Sequence, residues 1–107
     1  MSNISNQPLS EQFRIVAKSW TQKHAAASIL EETKTAVLAQ MIGRQGDIAY
    51  NQAERIVKSS EEWRAFIKDM VEAREAANLS KVKMEYMRMR FSEWQSAEAN
   101  RRAEMKL

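Results

Sequence analysis

The chain has 107 residues, a net charge of +3, 44% hydrophobic residues, two glycines, one proline and no cysteine. That length suits one domain. Sandwiches, barrels and α/β folds need a turn about every 8–12 residues, and so few glycines and prolines cannot build them. The lack of cysteine excludes disulfides, Cys-zinc sites and thiol catalysis.

Residues 1–9 contain no Lys or Arg and read as a flexible N-terminal lead-in. A secretory signal needs a basic start and an apolar run of roughly 7–15 residues. Neither is present, and no segment reaches the ~20 apolar residues of a membrane span. The expectation is a soluble, cytoplasmic protein.

Ser10 is the expected N-cap of a first helix, with Glu11 in the first turn, where the helix dipole favours an acid. Phe13, Val16, Trp20, Ala27, Leu30, Val37 and Met41 then recur at helical spacing. This predicts a helix over Ser10–Ile42, about 50 Å long at 1.5 Å per residue. Gly43-Arg44-Gln45-Gly46-Asp47 is the one clear turn, with Gly43 suited to a left-handed C′ position and Asp47 to the next N-cap. It is not a phosphate-binding loop, since no Lys-Ser or Lys-Thr pair follows and no strand precedes it.

Ile48–Lys58 reads as a short helix with Ala49, Ala53, Ile56 and Val57 on one side. Ser59-Ser60-Glu61-Glu62 fits a capping box with Ser59 as cap and Glu62 three residues on, so a corner is expected near Ser59. From Ser60 to about Met105 no strong helix breaker occurs. Trp63, Met70, Ala77, Met84 and Phe91 fill one position of a heptad seam, and Phe66, Ala73, Ser80, Met87 and Trp94 fill the other. This helix would be about 70 Å long. Asn78-Leu79-Ser80 is its weakest point, but the unbroken register favours continuity.

The predicted architecture is all-α: a long antiparallel helical hairpin over residues 10–107, coiled-coil-like, with a short helix at the bend. Two helices leave most of their circumference exposed, so a homodimer or a docking partner is expected.

Pairing Met41 with Trp63 places Trp20 opposite Met84 and Phe13 opposite Phe91, with residues beyond Trp94 overhanging. The open end then collects ten Lys and Arg against five Glu, and the bend end seven against nine acids. Arg74, Lys81, Arg88 and Arg102 fall on one flank of the seam, and Lys83 and Arg90 on the other. A parallel self-pairing through this seam would oppose Lys83 and Arg88, which repel. These rows should meet nucleic-acid phosphate, an acidic protein surface or the acidic bend end of a second copy, or stay solvated. The expected contact set is Lys81, Lys83, Arg88, Arg90, Arg101 and Arg102. Tyr86 and Met89 lie off the seam and are the expected protein interface, methionine being adaptable at such surfaces. Aromatic stacking beside basic rows suits single-stranded nucleic acid.

Catalytic chemistry is not signalled. His24 is the only histidine, one turn after Trp20, and no Ser-His-acid triad or metal set can be built around it. Glu31-Glu32 and Glu61-Glu62 are adjacent pairs that point in different directions on a helix. The Glu-x-x-His motif of bundle metal sites is missing. The expectation is a non-enzymatic protein with no cofactor, metal or small-molecule substrate.

Met84-Glu85-Tyr86-Met87-Arg88-Met89-Arg90-Phe91-Ser92-Glu93-Trp94-Gln95-Ser96, followed by Asn100-Arg101-Arg102-Ala103-Glu104, resembles the tail of small helical phage and prophage proteins. So does the preceding layout of helix, turn, short Ala-rich helix and long helix opened by an aromatic residue. The resemblance covers roughly residues 25–105. Such proteins are often encoded beside phage recombination genes, including those for single-strand annealing. The resemblance implies a phage context and an accessory role in DNA recombination or replication, with DNA, single-stranded above all, or a recombination protein as partner. It transfers no catalytic residue. The alternatives are an inhibitor or adaptor acting on a host protein complex, and a structural helical oligomer.

Overall fold

A computed structural model describes residues 7–106. It contains three helices, α1 (Leu9–Gly43), α2 (Tyr50–Lys58) and α3 (Glu61–Met105). The described residues contain no strand. The fold is an all-α helical hairpin in which α1 and α3 pack antiparallel. The chain divides into two compact units. The turn unit is Lys23–Ala77, and the terminal unit joins the residues up to Gln22 with those from Asn78 onward.

In the turn unit, Met41, Val57 and Trp63 form the buried centre, with Val37, Leu38, Ile42, Phe66 and Ile67 packed around it. Trp63 stacks on Phe66 with ring centroids 5.6 Å apart, an offset geometry that aromatic pairs favour. Ala27, Ala53 and Ala77 are also buried. Burying side chains this small requires a neighbouring element to come close to the backbone.

The turn differs from the expectation in three places. Gly43 is the last residue of α1, and the left-handed conformation belongs to Gly46, with φ 84°. A glycine holds that conformation without the steric cost a Cβ would add. The short helix starts at Tyr50 rather than Ile48, and its N-cap is Ala49, not Asp47, without a side-chain hydrogen bond. The cap of α3 is Ser60, not Ser59. The Ser59 backbone is still αR and completes α2. Its hydroxyl is taken by the carbonyls of Arg55 and Ile56, at 2.9 and 3.1 Å. The Ser60 hydroxyl accepts the Trp63 N–H at 3.2 Å and donates to the Val57 carbonyl at 2.6 Å, tying the end of α2 to the start of α3. With the cap one residue later, Glu62 is no longer three residues from it, so the reciprocal box cannot close. Glu62 instead pairs with Arg44 at 2.8 Å.

In the terminal unit, Val16, Met84 and Met87 form the buried centre, with Leu9, Phe13, Ala17 and Trp20 packed against it. Ser80 is buried as well, and α3 runs unbroken through Asn78–Ser80. Of the lead-in expected over residues 1–9, residues 1–6 lie outside the described residues, as does Leu107, and Leu9 is already helical. Ser10 is therefore inside α1 rather than its cap. The Pro8 carbonyl accepts the first helical hydrogen bond, from the Gln12 N–H at 2.9 Å. Proline suits this boundary because its missing N–H is not needed there. The seam residues Met84 and Met87 are buried as expected, but Trp94 is 50% exposed. Antiparallel counting from Val16 carries Trp94 past Leu9, where α1 begins among the described residues. Trp94 stacks on Phe91 instead, with centroids 5.9 Å apart.

Candidate nucleic-acid interface

All six expected contact residues lie on α3 in the terminal unit and are exposed. At about 100° per residue, they fall into two rows rather than one surface. Lys83, Arg90 and Arg101 align along one side. Lys81 and Arg88 align along another, about 160° away by the same geometry, with Arg102 closer to this second row. Met84 and Met87 lie between the rows on the side that packs on α1. Tyr86 and Met89 lie between them on the opposite, exposed side.

The six differ in their partners. The Arg88 guanidinium sits over the Phe13 ring, 5.8 Å from its centroid, a cation–π contact that leaves the charge unneutralised. Arg101 pairs with Glu98 at 2.8 Å, one turn earlier. Lys81, Lys83, Arg90 and Arg102 form no ion pair among the described residues. Elsewhere in this unit, Arg14 is bound to Glu11, and that hydrogen bond holds the Glu11 carboxyl below its usual value and raises Arg14.

Arg74 shares a sequence flank with Lys81 and Arg88, but its fate is different. Its Nε and Nη2 donate to both carboxylate oxygens of Glu31, at 2.8 and 2.6 Å. Its Nη1 lies 3.0 Å from Nδ1 of His24, and its Nη2 lies 3.4 Å from the Ser28 hydroxyl. A guanidinium can only donate, so Nδ1 is the acceptor in this contact. This fork-on-carboxylate geometry is the strong form of an ion pair. Hydrogen bonding from Arg74 holds the Glu31 carboxyl below its ordinary value. Sequence reasoning missed this cluster, although two signals point to it. His24, Ser28 and Glu31 share a helical face at steps of four and three. The Met41–Trp63 pairing, continued outward, sets Arg74 beside Leu30 and Glu31.

The surface offers little else. A depression beside α2 is lined by Asn51, Glu54, Arg55, Lys58, Ser59 and Arg64, and Glu54 there is already paired with Lys58 at 2.8 Å. Among the described residues no group of three or more His, Asp or Glu is placed to hold a metal ion, and no helix is long and apolar enough to cross a membrane. In comparisons with known proteins, no family model, no curated protein and no solved structure matches the chain.

Proposed function

We propose that the protein is a non-enzymatic accessory factor of phage DNA recombination or replication, and that it binds nucleic-acid phosphates through α3 of the terminal unit. The observation that carries this reading is the set of exposed cations, Lys81, Lys83, Arg90 and Arg102, with no ion partner among the described residues. Lys and Arg left in this state gain most from phosphate, because each contact releases condensed counterions. The resemblance of the α3 tail to small phage proteins supplies the recombination context. Two rows on different sides of one helix suit a backbone-tracking, sequence-tolerant contact rather than base readout in a groove.

A gel shift with single- and double-stranded DNA at low and moderate salt tests the reading. Binding at low salt should fall steeply as salt rises. Lys81→Ala, Lys83→Ala and Arg90→Ala together should weaken binding evenly across sequences and reduce the salt slope by about one for each phosphate no longer neutralised. Helicity and Tm should be unchanged, because these side chains hold no internal ion pair. No shift at low salt would overturn the proposal.

A further inference from the structure

On the exposed side of α3 in the terminal unit, Leu79, Val82, Tyr86 and Met89 are each between 56% and 65% exposed. Their spacing is three, four and three residues, which lines them up as a second apolar stripe. It faces away from the seam formed with α1, so the hairpin itself leaves it uncovered. Four large apolar side chains in one row differ from the scattered exposed residues that any surface carries.

The charges beside this stripe select its occupant. Lys83 and Arg90 border it on one side and Glu85 on the other. When two such helices pair in parallel, a residue on one border meets the residue five positions later on the opposite border of its mate. Glu85 then meets Arg90 of the second copy, and two-fold symmetry makes the contact twice. Antiparallel pairing would bring each border against itself, Lys83 and Arg90 among cations and Glu85 against Glu85. The stripe stops at Glu75 on one side and Glu93 on the other, so the pairing is confined to about two heptads.

We infer that Leu79, Val82, Tyr86 and Met89 form the contact between two copies of the chain, paired in parallel through α3 and held in register by Glu85 and Arg90. In the dimer Arg90 is taken up by Glu85 of the second copy, and Lys81, Lys83 and Arg102 of each copy remain for a polyanion. It does not depend on the nucleic-acid reading, since the apolar stripe and its borders are sufficient to form it.

Sedimentation of the full chain from micromolar to millimolar concentration should show a monomer–dimer equilibrium. Arg90→Glu or Glu85→Arg alone should weaken it by about tenfold, the scale expected for two ion pairs turned into repulsions. The double exchange should restore it. The chain has no cysteine, so Asn100→Cys accepts a single spin label. Parallel pairing keeps the two labels near each other, whereas antiparallel pairing about the centre of the stripe holds them about 50 Å apart. A chain that stays monomeric throughout, an Arg90→Glu variant that associates more tightly, or labels about 50 Å apart would overturn the inference. DNA binding that survives in a monomeric chain would leave the proposed function standing without the dimer.

Discussion

The turn unit and the terminal unit share α1 and α3, with α2 in the turn unit alone, and differ in how they settle their charges. The turn unit carries eight Lys and Arg against nine Asp and Glu, and the terminal unit nine against five. In the turn unit two cations are bound across elements, Arg74 to Glu31 on α1 and Arg44 to Glu62 on α3. Two pair within a helix, Lys58 with Glu54 and Lys68 with Glu72, and Lys23, Lys34, Arg55 and Arg64 form no ion pair among the described residues. In the terminal unit the ion pairs are local, Arg14 with Glu11 and Arg101 with Glu98, and five of the six cations of the α3 rows have none among the described residues. The apolar side differs in parallel. The core of the turn unit draws on all three helices, whereas the core of the terminal unit has only α1 and α3 and leaves an apolar stripe outside. The turn unit therefore ties its segments together by ion pairs and a three-helix core, whereas the terminal unit leaves more of its cations unpaired, and the difference lies in which side chains neighbouring segments present.

The comparison can be broken most forcefully at Trp63. This residue is buried where the three helices of the turn unit meet, so Trp63→Ala should cost about 3–5 kcal/mol through reduced burial and the cavity left behind. Thermal unfolding followed by circular dichroism measures it. A change in Tm no larger than that of an exposed-site variant such as Trp94→Ala would mean the turn unit is not the better-anchored half.

A smaller effect is expected at the corner. Ser60→Ala removes the acceptor for the Trp63 N–H and the donor to Val57, and should cost about 1 kcal/mol, the usual value of an N-cap. Ser59→Ala should cost less, because its hydroxyl satisfies no helical N–H and its shorter bond goes to the Arg55 carbonyl, which the Ser59 N–H already reaches. Equal losses, or a larger one at Ser59, would return the cap to the position expected from sequence. Urea unfolding of the two variants side by side decides this.

The smallest effect is in acid. Hydrogen bonding from Arg74 lowers the Glu31 carboxyl below its ordinary 4.5. A folded-state value below the unfolded one means that the pair's contribution is complete above pH 4.5. It is lost as pH falls through the lowered folded value. Carboxyl chemical shifts of Glu31 followed by NMR should therefore give a midpoint below the ordinary value, and Arg74→Ala should move it back up. A midpoint that ignores the substitution would show that the clasp is not formed in solution.

Much of the hairpin was legible in the residues. The 3-4 spacing of Trp63, Met70, Ala77, Met84 and of Phe66, Ala73, Ser80, Met87 marks the face of α3 that is buried or half-buried. Helical period is a property of the backbone, so apolar spacing reveals it without knowledge of the partner. The exposure of Tyr86 and Met89 was legible for the same reason. The unused stripe was half-legible: Tyr86 and Met89 stand off the seam by their spacing, while Leu79 and Val82, which complete it, come into view only once the covered face of α3 is known.

By itself the sequence determined the helical class, the position of the turn, the continuous run of α3 and the face it buries. All of these follow from local propensity and period. Tertiary structure alone decided that Ser60 rather than Ser59 caps α3, because α2 claims Ser59 first. It also decided that Trp94 is uncovered, because α1 starts at Leu9, and that Arg74 is neutralised while Lys81, one heptad on, is not. Each of these depends on what another segment places within a few ångströms, and a side chain's charge or size carries no record of its distant neighbour.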